Sequence, residues 1–394
     1  MNERRVALLG GMLASIGPLA LALYTPAMPM IAEAFDANEA TVKGTLSIYF
    51  AGYAGAQLLG GPLSDRFGRK PVAQAFLLIF IAGSIGTLLA STIDILIWSR
   101  LLQGIGAASG MVIARAIVRD LFTGDSSARV LNITSIVLGA GPMVAPAIGG
   151  GSIVLAGWQA PFVLMFLLGI ASMVIVHFKL LETRPEGLDE AGLSMIVKDY
   201  GAILRHREFL WSALTVSGAV ATFYAQSTVL SFIIMGQLGY DAAQFGLFML
   251  FVSGGYFLGA ILVRVLIPRF GAFRLVPFGL SLLVASALCM AVLLTTTSPR
   301  LSSVLVPVTT MIFANAFVLP GMYTACLSPF AKQAGAAAAM SGFMTMGLGL
   351  LASLFISLVA DPSLGLAAVD VAMVSLAAGC YLLWRRSSPD GRTA

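Results

Sequence analysis

Charge is scarce in this chain. Asp, Glu, Lys and Arg make up 10% of its 394 residues, against about 25% in a soluble domain. So few polar side chains cannot cover a core of this size in water, which excludes a soluble globular fold. Histidine is nearly absent: His177 and His206 lie far apart and no ligand cluster surrounds either. The three cysteines, Cys289, Cys326 and Cys380, all fall in apolar stretches. Their odd number and wide spacing suit neither a disulfide framework nor a metal site. Paired carboxylates and a nucleophile beside a base are missing from the apolar runs, which argues against a membrane enzyme. The longest polar segment, 182–208, is too short for a signalling domain, which argues against a sensor. The net charge of +5 gathers on no polar domain, so it is no sign of nucleic-acid binding.

What the chain has instead is hydrophobic residues, 58% of the total. A helix crossing about 30 Å of hydrocarbon needs roughly 20 mostly apolar residues. Twelve such runs are predicted, at approximately 6–30, 42–64, 71–91, 95–118, 130–154, 158–181, 209–235, 241–267, 274–297, 301–326, 334–358 and 364–384. They are long, continuous and rich in Leu, Ala and Met, so membrane β-strands are excluded. The start, MNERR followed by an apolar run and Ala20-Leu21-Ala22, looks superficially like a cleavable leader. The run continues to Pro29, so an uncleaved first span is the expectation. The fold class is all-α integral membrane. The polar segment 182–208, with Pro185 and Gly187, divides the chain into six-span halves, 1–181 and 209–394.

Orientation follows from Lys and Arg near the span ends. One set of connections holds Arg4, Arg5, Arg66, Arg69, Lys70, Arg119, Arg129, Arg184, Lys198, Arg205, Arg207, Arg269, Arg274, Lys332, Arg385, Arg386 and Arg392. The other holds Lys43 and Arg300. Both termini and the middle linker are therefore expected in the cytoplasm. Arg66-Phe67-Gly68 after the second span and Arg269-Phe270-Gly271 after the eighth occupy equivalent places, suggesting a six-span duplication.

One short turn concentrates charge. GGPLSDRFGRKP, Gly60 to Pro71, carries Asp65, Arg66, Arg69 and Lys70 between two apolar spans. It resembles the G-x-L-[AS]-D-R-x-G-R-[RK] signature of the major facilitator superfamily, matching from Gly61 to Lys70 at the expected place. LGAGPMVAPAIGG in the fifth span resembles the antiporter motif of that superfamily's exporters, with Gly139, Gly141, Pro142, Pro146, Gly149 and Gly150. RLLQGIGAASG, from Arg100, resembles the superfamily's R-x-x-Q-G-x-G-A-A stretch. LYTPAMP and ARAIVRDLF are similar to the bacterial Bcr/CflA group of drug exporters.

The resemblance implies two six-helix bundles, a central cavity and alternating access. It also implies a latch of Gly61, Asp65, Arg66, Gly68, Arg69 and Asp120 across the inner ends of the halves, with Asp65 near the start of the eleventh span. A carboxylate there meets the positive end of a helix dipole, worth about 0.3–1 kcal/mol when exposed. Arg69 is expected to pair with Asp120. Positive-inside anchoring alone accounts for Arg66 and Lys70 but not for Asp65 or the glycines. In the fifth span the prolines remove backbone hydrogen bonds and the glycines allow close contact. A bent, tightly packed seam is the functional reading, and ordinary membrane packing is the alternative.

Many relatives carry an acid in the first span, where PLALALYTPAMP has Ala22. The remaining coupling candidate is Asp370, the only carboxylate well inside a predicted span. A charge there costs at least about 2.5–3.5 kcal/mol by insertion scales. Tyr24, Tyr49, Tyr53, Arg100, Asn132, Tyr224, Gln226 and Asn315 are the expected cavity residues, although each could equally bond a neighbouring helix. The expected function is export of small amphiphilic compounds from bacteria across the inner membrane, in exchange for protons. A carrier of one metabolite, siderophore or anion, with Arg100 as the recognition group, is the alternative. The expected partners are a small-molecule substrate, protons and the lipid bilayer. No cofactor, metal or nucleic acid is expected, and the chain is expected to act as a monomer.

Overall fold

Glycine, proline and capping residues cut the apolar runs into rods. The computed structural model describes residues 2–122, 124–184 and 193–387, and every regular element among them is helical. The elements are α1 (Glu3–Tyr24), a 3-10 turn (Thr25–Ala27), α2 (Met28–Ala34), α3 (Glu39–Phe67), α4 (Arg69–Leu88), α5 (Ile93–Leu121), α6 (Gly124–Ala156) and α7 (Ala160–Lys179). There follow α8 (Leu193–Arg205), α9 (Arg207–Ser231) with a π-helical turn (Phe232–Gln237), α10 (Ala242–Phe270) and α11 (Ala272–Thr296). The chain then runs through α12 (Leu301–Leu327), a 3-10 stretch (Ser328–Gln333), α13 (Ala334–Leu358) and α14 (Pro362–Ser387). Eleven helical segments among the described residues, with α1 and α2 as one, are long and apolar enough to cross a bilayer. The 29-residue α3 completes the twelve expected spans and packs between α5 and α13.

Local chemistry sets the ends. Asn38 accepts the Thr41 backbone N–H at 2.8 Å and starts α3. Asp241 and Gln244 form a reciprocal capping box that starts α10. Gly68 and Gly271 end α3 and α10 with nearly the same backbone, φ 97° and ψ 155° against φ 81° and ψ 153°. These positive φ values favour glycine. The shared conformation matches the repeated Arg-Phe-Gly.

Two expectations need correction. The first span does not end near residue 30 as one helix. Pro26 and Pro29 lack backbone donors, the chain tightens at Thr25–Ala27, and the helix resumes to Ala34. The linker expected over 182–208 is largely helical: α8 occupies most of its second half and α9 begins at Arg207. Pro185 and Gly187 lie outside the described residues, as does Arg392. Ile203 of α8 is buried with Phe209, Cys326 and Met340, and the Tyr200 hydroxyl donates to the Leu58 carbonyl at 3.0 Å.

Two large buried clusters form. One draws on residues 6–180 together with Tyr224, Phe232 and Ala242. The other runs from Val216 to Trp384. They meet along two seams, α3 against α13 and α6 against α10. Lipid tails are as apolar as leucine, so such seams rest on close packing and hydrogen bonds. On the first seam the Ser47 and Ser353 hydroxyls are 2.8 Å apart, and Thr228 donates to Ser353 at 3.1 Å. On the second, a Cβ on Gly150 would stand 2.0 Å from the Ala242 carbonyl oxygen, so only glycine permits this approach.

Candidate functional site

The charged turn folds into a compact ion-pair cluster. Arg69, the first residue of α4, has a fully buried side chain. Its Nε donates to Asp120 at 2.8 Å, and its Nη1 donates to Asp65 at 2.5 Å and to Ser64 at 2.9 Å. Asp120, on the last turn of α5, has a side chain only 2% exposed, so this pair is shielded from water. Asp65 is half exposed and also faces Arg119 at 3.5 Å. Arg66 lies over the ring of Phe67. Gly61 is close to Val112 of α5.

A residue that motif reading passed over completes the cluster. Glu182, just beyond α7, accepts the backbone N–H groups of Arg69 at 2.9 Å and Lys70 at 3.1 Å. It also accepts those of Thr183 and Arg184. The carboxylate therefore caps the start of α4. Partial burial of Glu182 works against its charge, but the hydrogen bonds from Arg69, Arg184, Lys70 and Thr183 outweigh it and hold its carboxyl below the ordinary value. A Cβ on Gly68 would sit 2.6 Å from Glu182 Oε2, which adds a steric reason for that glycine.

The ion-pair partners found for Asp65 and Arg69 among the described residues belong to the first half of the chain. Arg119 approaches the start of α13, where the resemblance places Asp65. Its Nη1 would be 3.1 Å from a Cβ on Gly335. Contacts between the halves at this basic end include Arg119 beside Gly335 and Tyr200 on Leu58.

The stretch resembling an antiporter motif lies on the α6–α10 seam. Gly149 and Gly150 are buried, and Gly246 of α10 would bring a Cβ to 2.7 Å from Ala147. Gly141 faces Leu19, whereas Gly139 is exposed with no neighbour within 4 Å of a built Cβ. Pro142 and Pro146 line a cavity of about 60 Å³ with Ala22, Phe223, Gln226, Phe245 and Met249. That volume suits about two waters at ~30 Å³ each, and falls short of the ~300 Å³ lower range of small-molecule pockets. Ala22, at the position where relatives carry an acid, faces this cavity.

Of the expected cavity residues, only Gln226 lines it. Arg100 is fully buried within the first half, 4.3 Å and 4.4 Å from the ring centres of Tyr24 and Tyr49, and donates to Gln103 at 2.6 Å. It neither snorkels outward nor faces the cavity. The Tyr24 hydroxyl pairs with Thr45, Tyr49 donates to the Gly17 carbonyl, and Tyr53 packs on Gly17. The ring of Tyr224 packs tilted against Phe50, with centroids 4.8 Å apart. Asn132 is exposed on α6, because the end of that helix nearer the termini has few neighbours. Asn315 is buried in the second half. Asp370 is 0% exposed, eight residues into α14, and its Oδ2 accepts from Gln226 Nε2 at 3.1 Å.

Comparison with known proteins fits this geometry. A family profile described as Major Facilitator Superfamily matches residues 10–356. An "Uncharacterized MFS-type transporter YdgK" of Bacillus subtilis is 30% identical over 354 residues, covering 88% of this chain and 87% of its own. "Multidrug resistance protein MdtL" of Shigella dysenteriae is 32% identical over 243 residues, 60% of each chain. Among solved structures, a bacterial homologue of the human lysosomal transporter Spinster, inward-facing and occupied, superposes with a TM-score of 0.75 at 18% identity, covering 98% of this chain and 97% of that one. A D-xylose–proton symporter gives 0.71 at 15% identity, covering 96% of each. With the family profile covering most of its length on a fold of twelve spans, the chain belongs to the Major Facilitator Superfamily and is a multi-pass membrane transporter rather than an enzyme.

Proposed function

We propose that this transporter exports small amphiphilic compounds across the bacterial inner membrane by alternating access, in exchange for protons, as a Bcr/CflA-like exporter. The carrying observation is the seam: Pro142 and Pro146 flank a cavity walled mainly by apolar side chains, with Gln226 among its few polar groups. Apolar walls with few convergent polar groups suit lipophilic molecules of varied shape. The similarity to MdtL, a protein named for multidrug resistance, supports the same reading. Six-helix halves meeting at this seam, with both termini and the linker in the cytoplasm, complete the proposal. The cavity must widen by separation of the halves before a drug-sized molecule fits.

The membrane potential supplies about 2.3 kcal/mol per elementary charge per 100 mV. One proton entering per neutral molecule leaving therefore sustains more than a tenfold gradient. Enclosure of Arg100 by Tyr24 and Tyr49 supports the exporter over the anion-carrier alternative. The test uses inverted membrane vesicles energised to an acid interior and a panel of structurally unrelated amphiphiles. Several compounds should each partly dissipate the pH gradient and accumulate inside. Movement of a single polar metabolite, or accumulation indifferent to the gradient, overturns the reading.

A further inference from the structure

Among the described residues of the second half, two buried oxygen atoms without a hydrogen-bond partner belong to groups already bonded to each other. Gln226 of α9 gives Nε2 to Asp370 Oδ2 at 3.1 Å and to the Met311 sulfur at 3.6 Å. Its own Oε1 has no partner, and neither does Asp370 Oδ1. Buried polar atoms normally find partners, so this group calls for an explanation.

No cation among the described residues compensates the Asp370 carboxylate. The elements packed on α14 are α9, α11, α13 and the turn Phe232–Gln237. Their ionisable groups are Arg207, Glu208 and Tyr224 on α9, with Arg274 and Cys289 on α11. Arg207 and Glu208 open α9 at its far end, Arg274 lies in the first turn of α11, Tyr224 packs tilted against Phe50, and Cys289 is exposed. On α12, Tyr323 and Cys326 lie two turns or more beyond Asn315, and on α14 itself Cys380, Tyr381, Arg385 and Arg386 lie ten or more residues beyond Asp370.

We propose that Asp370 and Gln226 form the proton site of the transport cycle, with Gln226 linking that site to the seam cavity. The assignment rests on the proton-exchange reading. Both unpartnered atoms of the Asp370–Gln226 pair are acceptors, so the missing component is a donor. One proton added to a carboxylate lone pair makes Oδ1 an O–H donor, and Gln226 Oε1 is an acceptor on the amide already bound to Oδ2. A neutral acid and an amide then share two hydrogen bonds, where a carboxylate and an amide share one. No other bond is made or broken, and release returns the proton to water. Gln226 also lines the cavity. A molecule that turns its side chain strips Asp370 of its partner, and the site answers by changing its proton occupancy. Gln226 is thus a positioning residue and Asp370 the proton carrier.

The test is infrared difference spectroscopy of the full-length protein in lipid nanodiscs, titrated with pH alone. Wild type should show a protonated-carboxyl band that Asp370→Asn abolishes. Gln226→Leu should move the band in frequency and in its midpoint pH, a signature that a purely structural role would leave in place. An unchanged carboxyl spectrum in Asp370→Asn overturns the assignment. If that variant does not fold, the Gln226→Leu spectrum decides alone, and an unmoved band overturns the proposal. Absence of gradient-driven flux in vesicles defeats the exchange reading. A spectrum indifferent to these residues defeats only this site.

Discussion

At the scale of single residues, the cluster around Arg69 separates one strong interaction from several weak ones. The Arg69–Asp120 pair is buried, whereas Asp65 and Arg119 are both largely exposed. An exposed pair contributes about 0–1 kcal/mol. Removing one partner of a buried pair costs about 3–5 kcal/mol, because it strands the other charge. Asp120→Asn should therefore lower the melting temperature of the detergent-solubilised protein several degrees more than Asp65→Asn does. Equal effects would show that the burial of Asp120 carries no energetic weight. Glu182 adds a pH signature. Its folded-state pKa lies below the ordinary 4.5 because backbone N–H groups hold the charged form. The stability it contributes is thus complete above that value and lost as pH falls through the folded pKa. The stability gap between wild type and Glu182→Gln should be widest near neutral pH and close in acid. A gap independent of pH would show that the charge is not what caps α4. Asp65, Arg69 and Asp120 were legible because a fixed motif marks them. Glu182 was not, because it lies 113 residues from Arg69 and its partners are backbone groups, which no motif of side chains records.

At the scale of elements, the spans were legible and their company was not. Hydrophobic runs of about 20 residues declare themselves, and both Arg-Phe-Gly turns fell where the runs stop, with the same backbone at Gly68 and Gly271. The helix α8 hid inside a segment read as polar. Its apolar residues, Leu193, Ile196, Val197, Tyr200, Ile203 and Leu204, recur at helical spacing. That period was the available signal, and Lys198, Asp199 and Arg205 masked it. The polar residues inside spans were ambiguous for a different reason. Polar tips inside spans satisfy neighbouring helices as readily as a substrate, and Tyr24, Tyr49 and Arg100 do so within the first half. Composition cannot tell these faces apart, because both are apolar. In α6 the glycines and prolines were visible, but which of them meet α10 depends on the partner. Gly150 does and Gly139 does not.

For the whole molecule, the two seams differ in how far they are closed. The α3–α13 seam is joined at Ser47–Ser353 near one end of α3 and again at Gln57, whose side chain occupies the space beside Gly342. The α6–α10 seam closes tightly at Gly150 and Ala242, then leaves Asn132, Ile136 and Gly139 exposed toward the other end of α6. On the proposed alternating-access reading, with both termini in the cytoplasm, the Ser47–Ser353 contact has to part once per cycle, because it then joins the halves at the end that opens outward. Two hydroxyl oxygens 2.8 Å apart place the side chains close enough for a Ser47→Cys/Ser353→Cys disulfide after small adjustment. Oxidation of that double variant should stop export in the vesicle assay, and reduction should restore it. Either single variant should export under both conditions. Substrate binding to the oxidised protein should persist from the cytoplasmic face, since that face opens without parting this contact. Undiminished export by the fully cross-linked protein would mean that the halves need not separate here, and the rocking of one bundle against the other would have to be abandoned for this chain.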